Sequence, residues 1–173
     1  MASKNSPAKA KQTVINRMAV LDPETLNDIE KQSLLELALN VLSMLHQPGA
    51  ELPTPNQTRD FLRLLLAQRR AEVFGCMFLD NQHRVLETVE LFQGTIDGAS
   101  VYPRVVVQQA LLINAAAVMF FHNHPSGVAE PSHADVAITK RLTKALGLID
   151  IRVLDHFIVT VGDSVSFAER GLL

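Results

Sequence analysis

The side chains best suited to chemistry in this sequence are two histidines and an aspartate that follow a run of seven apolar residues. One residue separates His122 from His124, and Asp135 lies eleven residues further on. If the strand that begins near residue 115 runs through His124, both imidazoles point to one face, because side chains alternate along a strand. Two imidazoles and a carboxylate are a common ligand set of hydrolytic zinc sites, which leave a fourth position open for water. Zinc lowers the pKa of that water to about 7, so the pattern predicts hydrolysis at neutral pH.

A short turn explains how the aspartate could reach the two histidines. Pro125 cannot continue a strand ladder, and Gly127 permits a backbone angle at which the chain can reverse. A helix is predicted to start at Ser132, which puts Asp135 in its first turn, at the end nearest the strand terminus. The turn therefore predicts that the carboxylate and the imidazoles converge on one ion.

Each of these residues can also be interpreted without a metal. Ser132 and Asp135 form a Ser-x-x-Asp sequence, a relative of the capping box that stabilises a helix start. A His-x-His sequence on a strand is often incidental, although two titratable side chains after an apolar run are costly to bury without partners. The same ligand types occur in iron oxygenases, so residue type alone leaves the metal open between zinc and iron. The joint spacing is what favours a metal site.

The wider sequence is similar to a known family. The order His-x-His, seven residues, Ser, two residues, Asp resembles the JAMM motif of the MPN-domain metallopeptidases, and the flanking His-Asn-His-Pro-Ser-Gly resembles the RadC branch of that family. The resemblance covers residues 72–173 and includes Phe92-x-Gly-Thr, Tyr102-Pro-Arg104, Asn114-Ala-Ala-Ala, Asp155-His156 and Phe167-Ala-Glu-Arg-Gly171. It implies an α/β fold, a mixed β-sheet flanked by helices with a JAB/MPN-like, cytidine-deaminase-like core, here with an N-terminal helical extension.

The resemblance also implies roles for individual residues. By it, His122, His124 and Asp135 bind the cofactor, Zn2+, and Ser132 hydrogen-bonds to the developing oxyanion. The implied activity is that of a JAMM-type zinc metallopeptidase. Its substrate would be a peptide or isopeptide bond in an unidentified protein or peptide.

A glutamate upstream of the motif acts as general base in this family, where it starts a strand and is followed by a glycine. Glu72-Val-Phe-Gly75 matches that description, so the resemblance assigns the base to Glu72. Such a base takes a proton from water and returns it to the leaving amine. Glu87 and Glu90 are the competing candidates, and a glutamate at a strand start is otherwise usually just exposed.

Three further residues are not expected to bind the metal. Cys76 is the single cysteine of the chain, which excludes a multi-cysteine zinc site and the cysteine pair of the zinc deaminases. We expect it to be a small core residue. His133 should point away from the site, and His156 should either support a ligand or be purely structural.

The sequence departs from the family in two places. Val105 follows Pro-Arg where RadC-like chains usually have a glutamate, which bears on partner or substrate contacts more than on metal binding. About 70 residues precede Glu72, without the glycine-rich hairpin of a helix-hairpin-helix region. The chain therefore resembles a short member of the family.

Composition limits the function classes. The 173 residues are 47% hydrophobic and 20% charged, as expected for one globular domain with a short appendage. The net charge of -2 gives no general attraction to nucleic acid. The longest apolar run is far short of the roughly 18 residues that span a bilayer, and no secretory signal is evident, so we expect a cytoplasmic protein with no membrane partner.

The elements that would position the site follow from periodicity and turn signals. Residues 1–20 are predicted to be a basic mobile tail, 21–50 to hold an N-terminal helix capped by Asp22 with Pro23 at its first position, and 51–173 to form the RadC-like MPN domain. Within that domain we predict helices at 58–68, 103–114 and 132–146, a hairpin of strands 72–79 and 85–92, and strands at 115–121, 151–154 running into 157–161, and 165–167.

Two function classes follow. The leading one is a zinc-dependent hydrolase. The alternative is a DNA-repair-associated or mobile-element accessory protein that uses the domain as a scaffold and makes weak DNA contact through the basic tail. The sequence leaves the substrate and the oligomeric state open.

Overall fold

A computed structural model of the chain describes residues 21–45, 47–51, 54–66, 69–94 and 100–173. The chain divides into two compact units, residues 1–34 and 35–173, with the division inside the first helix. The elements are α1 (Asp28–Leu45), α2 (Pro55–Leu66), β1 (Val73–Leu79), β2 (Val85–Gln93), α3 (Pro103–Leu112), β3 (Ala117–Asn123), α4 (His133–Gly147), β4 (Arg152–Val159) and β5 (Ser164–Ser166). The tail predicted at residues 1–20, and with it the proposed DNA contact, lies outside the described residues.

The five strands form one mixed sheet in the order β2-β1-β3-β4-β5. β1 pairs antiparallel with both β2 and β3, β4 pairs antiparallel with β5, and β3 and β4 run parallel. The parallel pair is joined by α4, as such a pair requires a crossover. With α2, α3 and α4 packed on it, this sheet gives the predicted α/β fold, a mixed sheet flanked by helices.

Helices cover both faces of the sheet, and side-chain alternation separates the core into two clusters. The face covered by α2 buries Phe61, Leu62, Leu66, Val73, Met77, Leu79, Val85, Ala117, Met119, Phe121, Phe157 and Val159. The face covered by α3 and α4 buries Phe74, Cys76, Phe78, Val106, Ala110, Ala115, Val118, Phe120, Leu142, Leu146 and Ile151. β3 is buried along its whole length because it contributes to both clusters.

A glycine in β1 holds the pairing of β1 with β3 tight. Gly75 lies opposite Phe121 in the register, and a Cβ atom there would meet the Phe121 ring at 2.2 Å and the Val89 carbonyl oxygen at 2.7 Å. Contacts under 3.0 Å are not tolerated without a shift of the neighbours, and here one neighbour is backbone. The absence of a side chain at Gly75 therefore lets the Phe121 ring pack directly against the backbone of β1.

The N-terminal helix starts later than its sequence suggests. Asp22 does not cap it, and that prediction was wrong: the Asp22 carboxylate accepts a hydrogen bond from the Glu24 N–H at 3.0 Å within an isolated turn. Asn27 precedes the helix, and it exchanges side-chain-to-backbone hydrogen bonds with Glu30 at 2.9 and 3.0 Å. This reciprocal cap satisfies N–H groups at the helix start and so sets the start at Asp28.

The other predicted elements occur with shifted ends. α2 begins three residues early, because Thr54 and Gln57 form a reciprocal cap before Pro55, the first helical residue. The two pieces predicted after residue 150 are one continuous strand, β4. None of the helices in the described part of the chain is long and apolar enough to cross a membrane.

Candidate metal centre

The predicted ligands meet where β3 ends and α4 begins. His122 lies in β3, and His124 follows directly after the strand, with its backbone N–H donating to the Val159 carbonyl at 3.0 Å. The chain then turns at Gly127, whose φ of 83° is in the region that favours glycine. α4 starts after Ser132, and Asp135 lies in its first turn, where the positive end of the helix dipole favours a carboxylate.

Three potential ligand atoms face one another at this point. The Nε2 atoms of His122 and His124 are 3.0 Å apart. The Asp135 carboxylate lies 3.2 Å from His122 Nε2 through Oδ1 and 3.5 Å from His124 Nε2 through Oδ2. One ligand atom from each residue lies within 4.8 Å of the others, so the group could hold a metal ion.

The remaining nitrogen of His124 identifies its tautomer. His124 Nδ1 lies 2.7 Å from the Val128 carbonyl oxygen, which can only accept a hydrogen bond. Nδ1 therefore carries a proton, and in the neutral ring Nε2 is left with a lone pair directed at the site.

A longer hydrogen-bond chain leads to the same assignment for His122. The Thr139 hydroxyl donates to the Asp135 backbone carbonyl at 2.6 Å, so it accepts from His156 Nδ1, also at 2.6 Å. His156 Nε2 is then an acceptor, and His122 Nδ1 donates to it at 2.8 Å. His122 therefore also presents the lone pair of Nε2 to the site.

When both imidazoles are neutral, these assignments leave three acceptors, two imidazole lone pairs and a carboxylate, with no hydrogen atom between them. Such a group is electrostatically unfavourable unless a cation or a shared proton lies among the ligand atoms. Nitrogen and oxygen ligands in this number fit a divalent transition metal. The identity of the metal is not determined by the ligand types alone.

The ionisation of the cluster follows from its own contacts. Burial pushes the pKa of the Asp135 carboxyl upward, but hydrogen bonds from His122, His124 and Ser132 outweigh it and hold that pKa well below its ordinary value. The pKa of His124 is raised, chiefly by the hydrogen bond to Asp135, against an opposing effect of burial. The negative charge of Glu72 adds a smaller upward contribution to the pKa of His124.

Ser132 is the N-cap of α4. Its Oγ accepts from the Asp135 backbone N–H at 3.1 Å, and its own N–H donates to Asp135 Oδ2 at 2.7 Å, which completes a capping box. Its hydroxyl donates to the same Oδ2 at 2.6 Å. Ser132 therefore caps α4 and also contacts the candidate ligand group, because its partner in the capping box is Asp135 itself. The oxyanion role of Ser132 stays a prediction.

Glu72 lies immediately before β1. The register pairs Phe74 with His122 near the start of β1, and the negative charge of Glu72, two residues before Phe74, acts on His124. The buried Asn123 side chain fixes the backbone there, since it accepts from the Val73 N–H at 2.8 Å and donates to the Ala71 carbonyl at 3.1 Å. The Asn123 side chain therefore hydrogen-bonds to the residue before Glu72 and to the residue after it.

The competing glutamates lie on β2, with β1 between them and the histidines. Glu87 is exposed, and Glu90 forms an ion pair with Arg69 at 2.9 Å. Of the three glutamates considered, Glu72 is the one whose charge acts on His124.

The remaining candidates lie away from the ligand group. His133 and Val105 are exposed on α4 and α3. Cys76 is fully buried in the core, and burial raises the pKa of its thiol well above the ordinary value, as for an inert core residue.

His156 is the residue whose role was left open by the sequence, and it lies behind His122. It is fully buried, with the Phe167 ring 4.6 Å away, and burial holds its pKa well below the ordinary value. The neighbouring Asp155 holds the segment that carries Phe167. Its carboxylate accepts hydrogen bonds from Ser166 Oγ at 2.6 Å and from the Ala168 N–H at 2.9 Å. The Asp155-His156 pair was the available sequence signal, whereas nothing in the sequence marked Thr139.

Comparison with known proteins gives one family match and a set of similar proteins. Residues 52–172 match the family model of the RadC-like JAB domain. Similar proteins include UPF0758 proteins from Cellvibrio japonicus, 57% identical over 145 residues, from Aeromonas hydrophila, 58% identical over 142 residues, and from Thioalkalivibrio sulfidiphilus, 60% identical over 143 residues.

These alignments cover 84%, 82% and 82% of this chain and 65%, 63% and 63% of the respective relatives. The chain thus spans less than two thirds of the length of the relatives it matches.

Proposed function

The chain belongs to the RadC-like JAB domain family, and on that premise we propose that it is a zinc-dependent hydrolase that cleaves a peptide or isopeptide bond. One observation carries the proposal. Ligand atoms of His122, His124 and Asp135 lie within 4.8 Å of one another, the neutral imidazoles direct the lone pairs of Nε2 at this group, and the Glu72 charge acts on His124. A cation satisfies the acceptors, and a carboxylate beside it is suited to be a base.

His122, His124 and Asp135 would hold the metal through Nε2, Nε2 and a carboxylate oxygen. When bound, zinc would acidify the attacking water and polarise the carbonyl of the scissile bond. The presence of Glu72 and Ser132 beside the ligands favours zinc over iron, since a base and a hydroxyl donor serve hydrolysis and have no evident part in oxygen chemistry.

Glu72 would move the proton. It takes a proton from the attacking water as the water oxygen bonds to the carbonyl carbon. It then delivers that proton to the amine nitrogen as the carbon–nitrogen bond breaks. Ser132 would donate its hydroxyl to the developing oxyanion after turning away from Asp135 Oδ2, while its backbone N–H still caps the carboxylate.

The first test is metal content. We expect wild type reconstituted with zinc and then desalted to retain a stoichiometric amount of the metal, and the His124→Ala variant to lose most of it. Elemental analysis gives the amount, and Glu87→Gln is the matched control because Glu87 is exposed on β2. A wild type that retains no zinc would overturn the proposal, as would undiminished zinc in His124→Ala.

The second test separates the base from the metal. On a panel of blocked peptides and isopeptide-linked conjugates, Glu72→Gln should lower kcat by about 100-fold or more, because general base catalysis contributes roughly 10²–10⁴-fold. Zinc content should stay at the wild-type level, and Glu87→Gln should retain wild-type turnover. Equal turnover by wild type and Glu72→Gln would refute the assignment of Glu72.

A further inference from the structure

A cavity opens next to the metal ligands, on the α2 side of the sheet. It has a volume of about 320 Å³, and His124, Pro125 and Gly127 form one of its walls. Its other walls come from the end of α2, from the segment before β1 and from residues 159–161 at the end of β4. His124 therefore belongs both to the wall of this cavity and to the ligand group.

Three arginines, Arg63, Arg69 and Arg70, line the cavity, and none of its other lining residues in the described part of the chain is acidic; we name it the arginine pocket. Arg69 is paired with Glu90 at 2.9 Å, so one of the three positive charges is offset. Arg63 donates from Nη2 to the Val161 carbonyl at 2.8 Å, which orients its guanidinium without neutralising its charge. Arg70 is exposed and has no hydrogen-bond or ion-pair partner among the described residues.

The Asn123 side chain contacts both the arginine pocket and the backbone beside the proposed base, Glu72. Asn123 lines the arginine pocket, and its amide donates to the Ala71 carbonyl and accepts from the Val73 N–H. The backbone that carries Arg70 on one side of Ala71 and Glu72 on the other is thus anchored at one point. These two hydrogen bonds, one buried and one partly buried, therefore fix the backbone between the pocket and Glu72.

We propose that the arginine pocket binds the carboxylate of an acidic residue next to the bond that is cleaved; this rests on the proposed peptide hydrolysis. Guanidinium groups bind carboxylates through paired N–H donors, and positive charges in a recess with no acidic neighbour in its walls focus an attractive field. An extended peptide advances about 3.3 Å per residue. Because His124 belongs to both the pocket and the ligand group, the acidic side chain is expected at one of the first few residues from the scissile bond.

A peptide fits these observations better than a nucleic acid. The chain carries a net charge of -2, and the three arginines line one recess of about 320 Å³. Binding of a phosphate backbone uses a basic stripe or patch along the surface, whereas one side chain needs only a recess.

Binding can be tested without hydrolysis. The zinc-loaded Glu72→Gln protein is titrated with N-acetyl-glutamate N-methylamide and with its glutamine analogue, while the arginine Nε–H signals are followed by NMR. We expect the glutamate compound to shift the signals of Arg69 and Arg70, and the neutral compound to leave them in place. Arg70→Ala should weaken binding about ten-fold or more, since charge-assisted hydrogen bonds are lost.

Two more variants sharpen this experiment. Glu90→Gln should strengthen binding of the glutamate compound, because Arg69 is released from its ion pair. Arg141 is an exposed arginine on α4, on the other side of the sheet, and Arg141→Ala should leave binding of the glutamate compound unchanged. Equal responses to the glutamate and glutamine compounds, or a selective response that survives Arg70→Ala, would overturn the proposal. A thymidine oligonucleotide that shifts the same signals at lower concentration would overturn it in favour of nucleic acid.

A cleavage experiment distinguishes the two proposals. In matched blocked peptides with glutamate or glutamine at each position flanking the cleaved bond, one position should give a kcat/KM about ten-fold or more higher for glutamate, and Arg70→Ala should bring that ratio toward one. If no peptide is cleaved, the hydrolase proposal fails while the NMR titration still decides the pocket. Cleavage without any preference for glutamate refutes the pocket alone.

Discussion

The two faces of the sheet are built on different principles. The α2 face is filled by an apolar cluster in which Phe121, Phe157 and Leu62 are almost completely buried. The α4 face is equally buried, but toward the end of β3 it contains a chain of polar groups, from Thr139 through His156 to His122. One face thus provides apolar burial, whereas the other encloses groups that are expensive to remove from water.

The difference teaches what the polar chain is for. Burying an imidazole without a partner costs free energy, and hydrogen bonds at best offset that cost. A filling of aliphatic residues, as on the α2 face, would be at least as stable. The hydrogen-bonded polar groups are explained if they fix the tautomer of His122 and so direct the lone pair of its Nε2 atom at the ligand group. The following predictions test this division between the faces.

The largest expected effect is on the stability of the α2 face. Phe121→Ala should lower the free energy of unfolding by about 3–5 kcal/mol, because the side chain is fully buried and its ring packs over Gly75. Urea unfolding of the metal-free protein measures the change. Phe121→Leu, which retains most of the volume, should cost clearly less. Similar costs for the two variants would contradict the account of this face as a packed core.

The polar chain of the α4 face should control the metal more than the stability. His156→Leu removes the acceptor for His122 Nδ1–H while keeping an apolar side chain of similar size, and it should weaken zinc binding by about 10–100-fold. Competition with a chromophoric chelator gives the affinity. Met77→Leu, in the core of the α2 face, is the matched control and should leave zinc affinity unchanged. Wild-type zinc affinity in His156→Leu would show that these polar groups serve the structure alone and do not tune metal binding.

Ser132 belongs to both descriptions, as a helix cap and as a neighbour of the ligands. Ser132→Ala should cost about 1 kcal/mol in the free energy of unfolding, because the cap of α4 is lost. If the hydroxyl also stabilises an oxyanion, kcat should fall by about 10²–10³-fold. Ser132→Thr, which keeps a hydroxyl, should restore both quantities in large part. Unchanged kcat in Ser132→Ala would restrict the residue to capping.

The smallest expected effect is the pH dependence of the metal-free protein. The folded-state pKa of His124 is raised, so its contribution is fully present below the ordinary value of about 6.5 and is lost as the pH rises through the raised pKa. The pKa of Asp135 is lowered, so its contribution is present above about 4 and is lost as the pH falls toward the lowered pKa. Metal-free stability should therefore decline above neutral pH while zinc affinity rises, since zinc displaces the proton.

Unfolding of the metal-free protein at a series of pH values measures this dependence, and His124→Asn is the comparison. The variant should lose the decline above neutral pH and keep the loss on the acidic side. The apolar α2 face carries no titrating group in its cluster, so Phe121→Leu should shift the whole profile without changing its shape. The same profile in His124→Asn as in wild type would contradict the contribution of His124.

The sequence predicted the fold class and most elements because their signals are local. Alternation along the strand put His122 and His124 on one face, and the Ser-x-x-Asp sequence indicated the start of α4. Where two local signals competed, as between Asp22-Pro23 and the Asn27-Glu30 cap, the stronger reciprocal hydrogen bonds decided, and the prediction from Asp22 was wrong.

What the sequence by itself determined is therefore the candidate ligand set and the strand-turn-helix segment that carries it. Only the tertiary structure decided which residues support that set. His156 lies 34 residues from His122 along the chain, and Asn123 meets the segment before β1 across a gap of 50 residues. The 50-residue separation is that between Asn123 and Val73, the first residue of β1, and neither separation carries a periodic signal. The physical reason is that hydrogen bonds between distant segments depend on sheet register and helix packing, which exist only once the chain has folded.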